Sequence, residues 1–165
     1  LCRVNRAKHI VAFTGHRSYN GVADEQLRAT IISLYERGAR TFRVGMAEGF
    51  DLHAGEIVAE LKLTLSDIIL EACIPWPGFA SRFSPEERER YARVLAEASV
   101  IRYASGDYAA DVFHRRNDML VDGAATVVAW WEGHSSGTGY TVRRARRQGS
   151  EVINLFVRDL FAPIF

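Results

Sequence analysis

Four short stretches of this 165-residue chain hold residues suited to an anionic, hydroxyl-bearing molecule. The first is TGHR, residues 14 to 17, where Gly15 permits close backbone approach. Beside it, His16 is a switchable group and Arg17 a fixed cation. The second is VGMAEGFDLHAGEIV, residues 44 to 58. Gly45 and Gly49 bracket its turn, and Glu48 and Asp51 supply carboxylates. A helix starting near Phe50 would offer free amides and a positive dipole end to a phosphate. A carboxylate at that place suits ribose hydroxyls.

The third stretch is HRRNDMLVD, residues 114 to 122, in which an arginine could clamp a phosphate in two-pronged fashion. The fourth, WEGHSSGTGYTVRRA, is the strongest local signal. Gly133, Gly137 and Gly139 alternate there with Ser135, Ser136 and Thr138, between an apolar strand and a helix. Backbone amides and hydroxyls at a helix start are what a phosphate needs.

Each stretch also has a purely structural alternative. TGHR reads equally as a surface turn. Asp51 could simply cap the second helix, with the glycines satisfying the turn. The 114–122 cluster fits a solvated, salt-bridged face, and the Gly/Ser loop a flexible connection.

The elements that would position these loops alternate regularly. HIVAF is a short β-branched strand, followed by a helix over 24–37 that Gly38 stops. TFRVG is a second strand and 50–63 a second helix. SDIILEACIPW contains a third strand ended by Pro75 and Pro77. SPEERERYARVLAEAS is the clearest helix: Ser84 caps it, Pro85 suits its first position and Glu87 completes a capping box. VIRYAS is a strand, 109–122 a helix, ATVVAWW a strand, 138–148 an arginine-dense helix and EVINLF the last strand. The order predicts an α/β, Rossmann-like three-layer sandwich: a mostly parallel sheet with helices on both faces. Residues 1–165 form a single domain with its core at about 9–155. Loops after successive parallel strands share one rim of the sheet, so the four stretches should converge.

Composition narrows the classes little. Lysine plus arginine number 21 against 20 acidic residues, a net of +1, so there is no general electrostatic case for nucleic acid. The histidines are scattered without metal-ligand spacing, so no metal site is expected. Cys2 and Cys73 read as reduced thiols. No apolar run approaches the ~20 residues of a membrane span, and the basic start shows no signal peptide. Leu1 in place of Met suggests that the natural chain begins earlier. A cytoplasmic protein is expected.

TGHR, GMAEGFDLHAGE, RRNDMLVD and SSGTGYTVRRA, in this order, resemble the SLOG superfamily of Rossmann-like proteins, and in particular its YpsA-like branch. The likeness spans about residues 9–155. The superfamily includes the DNA-processing protein DprA and the LOG phosphoribohydrolases, which cleave the N-glycosidic bond of nucleoside monophosphates. The resemblance implies a nucleotide-derived ligand, with phosphate at Gly137–Thr138 and ribose near the Gly45–Asp51 turn. Arg116 matches an arginine that in LOG enzymes precedes a lysine, here Asn117. The glutamate that LOG enzymes carry three residues after the loop threonine is replaced by Thr141, and a threonine cannot stabilise an oxocarbenium-like state.

The primary expectation is therefore a binder of an ADP-ribose-like or NAD-like molecule. Arg17, Arg116 and the 135–138 hydroxyls would hold phosphates and Asp51 the ribose. Trp130 or Trp131 would stack a base or pack in the core. The runner-up is a nucleotide N-glycosidase using Glu48 or Asp51 as its carboxylate. Single-stranded nucleic-acid binding ranks third: RRARR, residues 143–147, is the only dense basic patch, and no aromatics interleave with it. No cofactor is required, Mg²⁺ brought in by phosphates is compatible, and related proteins allow a homodimer.

Overall fold

The computed structural model describes residues 9–158; Cys2 and the basic start lie outside the described residues. Strands β1 (Ile10–Gly15), β2 (Thr41–Val44), β3 (Ile69–Ile74), β4 (Val100–Tyr103), β5 (Thr126–Trp130) and β6 (Glu151–Asn154) alternate with helices. These are α1 (Asp24–Glu36), α2 (Phe50–Lys62), α3 (Pro85–Glu97), α4 (Val112–Val121) and α5 (Gly137–Arg147). The sheet runs β4-β3-β2-β1-β5-β6 and every pairing is parallel. The expected α/β, Rossmann-like sheet is the fold observed.

Strand order reverses at β1, which pairs with β2 on one side and β5 on the other. The crevice at the carboxyl ends of β1 and β5 is where such sheets place ligands. The TGHR loop leaves β1 there, and the Gly/Ser loop leaves β5 there.

Helix ends follow local chemistry. Gly38, at φ 109°, closes α1: its amide reaches the Tyr35 carbonyl at 2.9 Å and the Ala39 amide that of Leu34 at 2.9 Å. Ser84 caps α3 by accepting the Glu87 amide at 3.2 Å. The capping box is only half made, because the Glu87 carboxylate instead accepts from Arg90 at 2.9 Å. The fourth helix starts later than its apolar pattern suggested, at Val112, because residues before it make a turn whose Ala109 carbonyl receives the Val112 amide.

Leu27, Ile31 and Leu34 of α1 and Leu52, Ile57, Val58 and Leu61 of α2 are buried, as their helical spacing requires. The central strands carry one charged exception. Arg43 of β2 and Glu71 of β3 pair at 2.9 Å with side chains only 10% exposed. Arg43 also donates to the Asp122 carbonyl at 2.6 Å, so strand β2 is tied to the end of α4. The four residues of edge strand β4 are all exposed, unlike the doubly buried inner strands.

Candidate functional site

Thr14, Gly15, His16 and Arg17 from the first loop, Ala47 and Asp51 from the second, and Arg116 and Asn117 from α4 line one cavity of about 370 Å³. Ser136, Gly137 and Thr138 at the start of α5 complete its wall. All four stretches therefore meet at the rim where strand order reverses.

The floor is a buried guanidinium. Arg116 is 6% exposed, and burial holds its pKa below the usual arginine range, with nearby Asp51 opposing that shift. Its Nε donates to Asn117 Oδ1 at 2.8 Å and its Nη1 to the Gly45 carbonyl. Among the described residues it makes no ion pair and Nη2 has no acceptor. A buried charge with no carboxylate in direct ion-pair contact is costly, and an anion in the cavity would offset that cost.

Asp51 is 5% exposed, and burial pushes its carboxyl up to about 6. Arg116, the Ala47 amide and Arg17 pull in the other direction, and the Ala47 N–H donates to Oδ2 at 3.3 Å. Asp51 is not a cap in the expected sense: the N-cap position of α2 is Gly49, which has no side chain to offer.

The α5 wall is amide-rich. Ser136 is the N-cap, its hydroxyl accepting the Gly139 amide at 3.0 Å. The amides of Gly137 and Thr138 follow in the first turn, where intrahelical acceptors are missing. Thr141, fully buried, donates its hydroxyl to the Gly137 carbonyl at 2.9 Å. The position carrying a glutamate in LOG enzymes is thus an internal helix contact here.

The remaining predicted residues lie elsewhere. Gly45 and Gly49 do not line the cavity; both serve packing. A Cβ on Gly45 would lie 2.6 Å from Asp51 Oδ2 and 3.2 Å from Arg116 Nη1, the two groups that need the space. Gly49 takes φ 79° and presses against the Arg17 carbonyl, while the Phe50 amide donates to the His16 carbonyl at 3.3 Å. Those contacts fasten the second loop onto the first. Glu48 faces a different, larger cavity, and Gly133 and Ser135 are exposed on the loop away from the lining.

Trp130 packs edge-on against Tyr19 at 5.2 Å and Phe156 at 5.1 Å, which makes it a structural residue. Trp131 is half-buried, with Arg146 over its ring at 5.9 Å, so an aromatic does adjoin the basic patch of α5. The patch is partly neutralised, since Arg144 pairs with Asp118 at 2.9 Å.

Two features escaped the sequence reading. Phe113 and Leu120, apolar members of α4, also line the cavity. His16, Glu132 and His134, far apart or unpatterned in the chain, bring their ligand-type atoms within 4.8 Å of one another. The two imidazole rings stack at 4.8 Å, and His16 Nε2 accepts the Glu132 amide at 3.1 Å. Only the β1–β5 adjacency could have revealed this trio.

Sequence comparison with curated proteins gives no match. Among solved structures, DNA processing protein A (DprA) from Streptococcus pneumoniae is similar, with a TM-score of 0.69 and 19% identity. The likeness covers 92% of this chain and 51% of that one. DprA from Helicobacter pylori, whose structure was described for its single-stranded DNA binding mode, gives a TM-score of 0.67 and 19% identity. There the likeness covers 92% of this chain and 66% of that one, so the chain spans only half to two thirds of these proteins. At that identity the likeness shows the fold. The family signal is in the sequence: the YpsA family model (YspA SLOG family) matches residues 6–155, which carry all four cavity loops. The chain belongs to this YpsA family of SLOG proteins.

Proposed function

We propose that this domain binds the phosphates of a small nucleotide-derived ligand of the ADP-ribose type in the cavity between β1 and β5. The observation that carries the reading is Arg116, buried, without an ion-pair partner among the described residues, and lining a cavity whose wall is the first turn of α5. A guanidinium and converging amides are complementary to phosphate in charge and in geometry. Asp51 in the same lining is suited to a ribose hydroxyl, and exposed Arg17 and half-buried His16 line the cavity with it.

Binding without cleavage is favoured over hydrolysis, because Thr141 occupies the catalytic glutamate's place with its hydroxyl committed to the helix. Glu48 lies outside the cavity lining, which leaves Asp51 as its sole carboxylate. Calorimetric titration with ADP-ribose, together with chromatographic assay for free base after incubation with AMP and NAD, tests both parts. Saturable binding with no base released is expected. Base release that disappears in Asp51→Asn would replace the binding role with an N-glycosidase.

A second reading, single-stranded nucleic acid, is supported by the Helicobacter pylori relative and by the Arg146–Trp131 pair beside α5. Its mark would be oligonucleotide affinity that falls steeply with salt. A titration with oligothymidylate at two salt concentrations separates it from the small-ligand role.

A further inference from the structure

A second cavity, of about 860 Å³, adjoins the first: Arg17 and Phe113 line both. It is lined by aromatics from two loops on the same rim of the sheet. Trp76, Phe79 and Phe83 come from the segment after β3, and Tyr108 and Phe113 from the segment after β4 and the start of α4. Trp76 is the hub. Its ring meets Phe79 at 5.5 Å, Tyr108 at 5.4 Å and Phe113 at 5.8 Å, all edge to face. Pro75 and Pro77 flank it, limiting the backbone on either side.

The cluster continues the core, with Phe79 buried in it and Trp76, Phe83 and Phe113 packed against it, but it opens to solvent at Tyr108. Tyr108 is 63% exposed although it belongs to the aromatic network. Arg82, Glu48 and Ser81 join the lining, and Arg17, Arg82 and Glu48 make no ion pair among the described residues. Flat apolar surfaces ringed by hydrogen-bonding groups of both polarities are suited to a heteroaromatic ring with donors and acceptors on its edge. The two chambers touch through cations as well: Arg17 lies 5.8 Å from the Phe113 ring centre and Arg116 6.0 Å from that of Phe79.

We infer that the aromatic chamber is the base subsite of the same ligand, so that a nucleotide spans both cavities with its anionic part at Arg116 and its base against Trp76 and Tyr108. The inference rests on the proposed phosphate role of the first cavity. It assigns base recognition to the loops after β3 and β4, and not to Trp130 or Trp131. Arg17 sits at the junction, where the sugar would pass.

The test compares AMP with ribose 5-phosphate by calorimetry on the full chain, on Trp76→Ala, on Tyr108→Ala and on Arg116→Gln. Stacking of a base on aromatic side chains strengthens binding roughly ten- to hundredfold. AMP is therefore expected to bind at least tenfold more tightly than ribose 5-phosphate. Trp76→Ala and Tyr108→Ala should erase that advantage while leaving ribose 5-phosphate affinity unchanged. Tyr108 is exposed enough that its truncation leaves the fold intact, which keeps the test decisive if Trp76→Ala unfolds.

Equal affinity for the two compounds, sensitive to Arg116→Gln, would overturn the base subsite and leave the phosphate site standing. An AMP advantage that survives both aromatic substitutions would place the base elsewhere and also overturn it. Failure of both compounds to bind would remove the phosphate reading and this inference with it.

Discussion

Asp51 and Arg116 share the floor of one cavity without forming an ion pair. Arg116 donates to Asn117 and to the Gly45 carbonyl, while Asp51 accepts the Ala47 amide. Each charge is buried and its hydrogen bonds go to neutral groups, while the two act on each other only through space. The arrangement keeps a cation available at the foot of the α5 amides.

Replacing Arg116 should therefore act on anion binding first. Arg116→Gln is expected to weaken ADP-ribose binding roughly ten- to hundredfold, the range for losing hydrogen bonds to a charged group. Titration calorimetry measures it. Unchanged affinity would mean that the phosphates do not contact this residue.

Asp51 makes stability depend on pH in a defined window. Its folded-state pKa, about 6, lies above the ordinary 3.8, so the folded form holds the proton more tightly. The associated stability is complete below 3.8 and is lost as pH rises to about 6. The loss is on the order of 3 kcal/mol. Asp51→Asn should abolish it, so the stability of the variant relative to wild type should climb between these values and then level off. Denaturant titrations across the range measure this; parallel curves would refute it.

Gly49→Ala should cost about 2–4 kcal/mol, since its φ of 79° is unfavourable for alanine and its Cβ would collide with the Arg17 backbone. Gly38→Ala, also at positive φ but with nothing within 4 Å, should cost only about 1–2 kcal/mol. Equal losses in urea unfolding would show that the clamp between the first two loops carries no energy.

The Arg43–Glu71 pair gives a further test, away from the site. Glu71→Gln leaves Arg43 buried without its charge partner and should cost about 3–5 kcal/mol, whereas replacing both residues by apolar ones of similar volume should cost far less. Unfolding free energies of the single and double variants decide it.

The alternation of strands and helices was readable because inner strands such as ATVVAWW are continuously apolar and helix stops such as Gly38 have a local cause. The convergence of the four loops followed from parallel pairing alone. What stayed hidden depends on who neighbours whom. Gly45 and Gly49 look like phosphate glycines in the chain, but Asp51, Arg116 and the Arg17 carbonyl fill the space their missing side chains leave. The PWPGF segment read only as the end of a strand, yet it supplies Trp76 and Phe79 to the second chamber. Likewise, the His16–Glu132–His134 grouping exists only because β1 and β5 are adjacent.

A crystal structure of the protein with ADP-ribose puts the reading at greatest risk. Phosphate density within hydrogen-bonding distance of Arg116 and of the Gly137 and Thr138 amides is the predicted result. Phosphates bound anywhere else on the molecule, or an empty cavity at saturating ligand, would contradict it.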